Sequence, residues 1–98
     1  MATFISLVNF TQQGMQDFKV SPDRAAQFKS MAEKAGVAVK EIYWTIGPHD
    51  AVIVMDAPDD ESAAAVMLYL NSFGNVRTQT LRAFNSSEIK GIISKVPV

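Results

Sequence analysis

The single His and the single Trp of this chain fall in one short run, Glu41-Ile42-Tyr43-Trp44-Thr45-Ile46-Gly47-Pro48-His49-Asp50. His is the side chain whose ordinary pKa lies nearest neutrality, so His49 is the best single candidate for moving a proton. Asp50 follows it directly. Neighbours in an extended strand point to opposite faces, so Asp50 orients the His49 ring only if the backbone turns there; otherwise it hydrogen-bonds the turn itself. Tyr43 and Trp44 face opposite ways for the same reason, one toward covering helices and the other toward a dimer face or solvent. Such rings either wall a small-molecule pocket or pack a core or interface. Catalytic candidates are thus His49 and Asp50, with Tyr43 and Trp44 as candidate ligand contacts.

Other polar groups stand in apolar surroundings. Asn9 interrupts the apolar parity of Thr3 to Phe10, either as a ligand contact or with its amide satisfied locally. Arg77 and Arg82 lie on opposite parities of one strand, so one of them faces inward and needs a carboxylate or an anionic ligand. Asn9 and Arg77 therefore join the candidate ligand contacts. Asp56, Asp59, Asp60 and Glu61 lack the glycine and alternating ligands of a calcium loop and suit the start of a helix, where exposed amides favour acids. One His and no Cys make a poor ligand set, so no metal and no cofactor is expected.

The elements that position these residues read clearly. Thr3 to Phe10 carries apolar residues on both parities and forms a strand; Met15 and Phe18 mark a short helical turn. Ser21-Pro22-Asp23 reads as N-cap, first-turn proline and dipole-complementing acid, opening a helix with Ala25, Phe28, Met31, Ala32 and Ala35 on one face. Gly36 ends it. Val37 to Ile46 and Asp50 to Asp56 form a hairpin-like pair of strands around Gly47-Pro48-His49. A second helix runs from Pro58 to Phe73 and stops at Gly74-Asn75, Val76 to Phe84 is the fourth strand, and Ser86 or Ser87 caps a short helix with Ile89, Ile92, Ile93 and Val96 on its apolar stripe. The order β-α-β-β-α-β is the ferredoxin-like split unit, an α+β fold with a four-stranded antiparallel sheet covered by two helices on one face, in a single domain over residues 1–98.

Composition sets bounds on partners. The chain has 98 residues, 48% hydrophobic and 19% charged, against about 25% charged in ordinary soluble domains. The apolar excess and the bare sheet face predict a homodimer or higher homo-oligomer in which a second sheet covers the first. Nine basic and ten acidic residues give a net charge of −1 without a basic stripe, so nucleic acid is not an expected partner. No apolar run approaches roughly 18 residues and Met1-Ala2-Thr3-Phe4 runs straight into a strand, so no membrane association and a cytoplasmic location are expected.

Three segments, Tyr43 to Asp50, Ala57 to Glu61 and Gly74 to Phe84, resemble the signatures of the GYD domain family. The family's Gly-x-Tyr-Asp sequence falls on Gly47, Pro48, His49 and Asp50, with His49 in the place of Tyr. The resemblance covers nearly the whole chain. It implies a ferredoxin-like fold in the dimeric α/β barrel group, which includes cofactor-free monooxygenases, isomerases and stress-related proteins. Two functions are therefore expected. One is binding of a small, largely apolar molecule between sheet and helices, with cofactor-free chemistry at His49 left open; the other is a non-catalytic assembly or regulatory module. A lined cavity reaching His49, Tyr43 or Trp44 favours the first.

Overall fold

A computed structural model describes residues 1–97. The chain order is β1 (Ala2–Phe10), α1 (Gln12–Gln16), a 3-10 turn (Phe18–Val20), α2 (Ser21–Lys34), β2 (Ala38–Trp44), β3 (Ala51–Ala57), α3 (Asp60–Ser72), β4 (Val76–Ala83) and α4 (Ser86–Ile93). The four strands form one antiparallel sheet in the order β2-β3-β1-β4, as the α+β, ferredoxin-like reading predicts. β1 and β3 are central, which explains why they are the two strands with apolar residues on both parities.

Period-two alternation divides each strand between two faces. Phe4, Ser6 and Val8 of β1 and Ala51, Ile53, Met55 and Ala57 of β3 are buried beneath α2 and α3, joined there by Phe28, Ala32, Ala63, Val66 and Met67. The other face carries Ile5 and Leu7 of β1, Val52 and Val54 of β3, Tyr43 of β2 and Leu81 of β4. Leu81 is half exposed in the single chain, and α2 and α3 pack on the opposite face. A bulge between Val39 and Glu41 keeps Val39, Ile42 and Trp44 on the helix side of β2 and sends Glu41 and Tyr43 to the open side.

Two caps differ from expectation. Ser21 is the first residue of α2 rather than its cap: Val20 occupies the cap position without a side-chain bond, and the Ser21 hydroxyl accepts the Trp44 indole N–H at 2.9 Å. α4 is capped by Asn85, not by Ser86 or Ser87, in a reciprocal box with Glu88 that satisfies two backbone amides. At α3 the acidic run does cap: the Asp59 carboxylate accepts the Ser62 amide at 2.7 Å. That bond, followed by the Ser62 hydroxyl, holds the Asp59 carboxyl below its ordinary value. Among the described residues no helix is long and apolar enough to cross a membrane.

Candidate functional site

The candidate residues divide between the two sides of the sheet. On the helix side, a cavity of about 200 Å³ opens where the start of α2 and the end of α3 splay over β1, β2 and β3. Its floor is Val8, Ala51 and Ile53, with Phe28 and Leu70 from the helices. Phe10, Trp44, Tyr69 and Phe73 add aromatic walls, and the last two meet edge to face with ring centres 5.0 Å apart. Ser21, Arg24, Gln27 and Asn75 supply the polar groups. An apolar wall with a few polar groups is the general form of a small-molecule site.

Trp44 is the one sequence-predicted candidate that lines this cavity. The Trp44 indole is tied to Ser21, so the end of β2 and the start of α2 are pinned together at the mouth. Tyr43, its neighbour, pairs with Val52 and lies on the open side of the sheet, as alternation requires. Arg77 pairs with Asn9 on that same open side and is exposed. The inward arginine is Arg82, which stacks on Phe4 and Phe84 and faces Glu88 at 3.8 Å.

Asn9, His49 and Asp50 form a second cluster at the end of β1. The Asn9 amide donates to the Pro48 carbonyl at 2.8 Å. A carbonyl can only accept, so the Asn9 oxygen is the atom that faces His49 Nδ1 at 2.9 Å. Nδ1 therefore carries the proton, and Nε2 is the free, basic nitrogen of the neutral ring. Asp50 does not touch the imidazole through any of these bonds. Its carboxylate accepts the Phe10 amide at 2.8 Å, just past the last β1–β3 pair, while its own amide donates to Val8. The Thr45 hydroxyl closes the loop onto the His49 carbonyl, and Gly47 takes φ 123°, a conformation that glycine allows without a side-chain clash. This cluster latches the β2–β3 loop to β1. His49 and Asp50 do not line the cavity.

Sequence reasoning missed Arg24, Gln27, Tyr69 and Phe73. A legible signal existed for Arg24: a cation near a helix N-terminus runs against the dipole and needs another reason to be there. Its carboxylate neighbour is Asp17 at 3.5 Å, with the two side chains 35% and 63% exposed. Tyr69 and Phe73 are spaced by four on α3, which predicts a shared helix face but not the gap beneath it. Among the described residues no three of His, Asp and Glu converge as a metal site would require.

The sequence profile of the GYD domain matches residues 4–93. A Thermus thermophilus protein described as glutamine synthetase and cystathionine beta-lyase binding protein is 36% identical over 90 residues, covering 91% of this chain and 95% of that one. A crystal structure of a Thermus thermophilus protein superposes with a TM-score of 0.58 at 25% identity, covering 88% of this chain and 96% of that one. The feast or famine regulatory protein from M. tuberculosis, complexed with L-methionine, gives a TM-score of 0.66 at 14% identity. That match covers 88% of this chain and 52% of the other, so this chain spans about half the length of that protein. At such low identity the likeness concerns the fold alone.

Proposed function

The chain belongs to the GYD domain family, and from that premise we propose that it is a small homo-oligomeric binding module that holds a small, largely apolar molecule between its sheet and helices without transforming it. The aromatic cavity beside Trp44 is the observation that carries this reading. An apolar cavity of about 150 Å³ can stay dry and bind benzene, so one of about 200 Å³ suits a single ring or short chain with a little more. Turnover is not favoured, because the lining brings together no acid and base. Proton transfer by His49 would have to act on a molecule at the open sheet face, beside Asn9, Tyr43 and Arg77. In this reading the open face is covered by a second copy, as in a dimeric α/β barrel, and the protein is cytoplasmic.

A titration with 3-phenylpropanamide, a neutral probe of about the right size, tests the cavity. Trp44 is the only Trp and lines the site, so its fluorescence should change saturably. A linear response with no saturation counts against a binding cavity.

A second reading is favoured by the Thermus thermophilus relative, whose described partners are two enzymes. The chain would then act by docking onto a metabolic enzyme, in keeping with a regulatory module. Affinity capture with the immobilised chain, using purified glutamine synthetase from the same source organism, tests it; absence of retention at micromolar concentration argues against that partner.

A further inference from the structure

Charge is distributed very unevenly around the cavity. Among the described lining residues Arg24 is the single charged side chain, and no Asp or Glu joins it. Arg24 is 35% exposed, which places its guanidinium at the mouth, above a floor of Phe28, Val8 and Ile53. Its fold partner Asp17 is held by one nitrogen, Nη2, at 3.5 Å and is itself 63% exposed. An ion pair so wet and so long contributes little and leaves most of the five guanidinium N–H donors available. A guanidinium fork matches a carboxylate in bidentate fashion. A ligand ammonium entering the same cavity would find no anion and would lose hydration without compensation.

We propose that the molecule held here is a small apolar monocarboxylate, a ring or short chain ending in one carboxylate, gripped by Arg24 at the mouth. This rests on the cavity being a ligand site, as proposed above. The apolar end lies against Phe28 and the Tyr69–Phe73 pair, and the carboxylate stays at the rim. The Trp44–Ser21 bond ties the first turn of α2, the helix that carries Arg24, to the end of β2, so this part of the rim is held before the ligand arrives.

Three probes of one skeleton separate the possibilities: 3-phenylpropanoate, 3-phenylpropanamide and L-phenylalanine, each titrated at pH 7 and followed by amide ¹H–¹⁵N shifts. The acid should bind roughly tenfold more tightly than the amide, the margin expected of a hydrogen bond between charged groups, and phenylalanine no more tightly than the amide. Arg24→Gln should weaken binding of the acid by roughly tenfold and remove most of its advantage over the amide. Asp17→Asn, which frees the guanidinium from the carboxylate paired with it, should strengthen binding of the acid; it also serves if Arg24→Gln does not fold. Equal affinity for acid and amide overturns the charge inference and leaves the cavity reading standing. Tighter binding of phenylalanine than of the acid overturns it in favour of a zwitterion. No shift at the cavity with any probe overturns both.

Discussion

At the scale of single residues, Asn9 does more than its position in a strand suggests. One amide group holds both the Pro48 carbonyl and His49 Nδ1, so the loop conformation and the imidazole tautomer depend on the same side chain. Asn9→Ala loses both bonds and leaves the Pro48 carbonyl without this partner, whereas His49→Ala loses one. Urea unfolding should show a loss of about 1–2 kcal/mol for Asn9→Ala and about 1 kcal/mol or less for His49→Ala. The reverse order would mean that the loop is held elsewhere. Imidazole ¹⁵N shifts of the neutral ring should report a protonated Nδ1 and a bare Nε2. Asp59 makes a separate, pH-dependent contribution. Its pKa is lowered in the folded chain by the Ser62 amide, so the stability it adds is present above the ordinary carboxylate range and is lost as pH falls through the folded value. Asp59→Ala should therefore be less stable than the parent near neutrality, and the gap should close in acid. A gap that is constant with pH rules out the charged cap as its source.

At the scale of elements, the α1 segment matters because it closes one end of the cavity. Thr11 and Gln13 bond the chain around Phe73, Gly74 and Asn75, and Gly14 sits so close that a Cβ there would lie 1.9 Å from the Asn75 carbonyl oxygen. Backbone opposes backbone at that point, so a side chain cannot be accommodated by a rotamer change. Gly14→Ala should destabilise by about 1–3 kcal/mol or more and weaken probe binding, since Gly14 and Asn75 both line the cavity. Unchanged melting would show that α1 moves freely. α4 is the opposite case. It is well capped and tethered by the Arg82–Glu88 pair, yet none of its residues is buried; Ile89 and Ile93, with Val96 just beyond, are 42%, 61% and 57% exposed. In the proposed homo-oligomer this stripe is expected to pack against a partner subunit. Deletion after Phe84 should weaken self-association more than it lowers the melting temperature of the core; a truncated chain that sediments as the parent does would make α4 a free appendage.

For the whole molecule, shape and surface point the same way. The radius of gyration is 14.8 Å, above the roughly 13 Å of a compact chain of this length, and the least extent is 18 Å, about one sheet and one helix layer. A slab this thin leaves one face of the sheet open, and that face carries Ile5, Leu7, Val52, Val54, Tyr43 and Leu81. Sedimentation at micromolar concentration should give at least a dimer. Leu81→Glu places a charge within the expected contact, at a β4 position that is half exposed in the single chain, and should yield a folded monomer. A parent that sediments as a monomer removes the case for sheet-on-sheet assembly.

The amino-acid order alone determined the element types, their succession and the sheet's two-faced character. Those depend on local properties: the period of apolar residues, caps such as Asp59, and breakers such as Gly36 and Gly74. It also determined that Tyr43 and Trp44 part company, because the pleat sends neighbours to opposite faces. The bulge at Val39/Glu41 and the pairing of Trp44 with Ala51 then decided which ring met the helices, and neither is written locally. The cavity was illegible for the same reason. It is a gap between α2, α3 and the sheet, and a gap is set by how elements of distant sequence splay, so Arg24, Tyr69 and Phe73 gain a shared role only in three dimensions. The segment Gly47 to Asp50 was conspicuous by composition. Only the tertiary bonds from Asn9 and to Phe10 reveal it as a latch, because the partners of a latch lie on another strand.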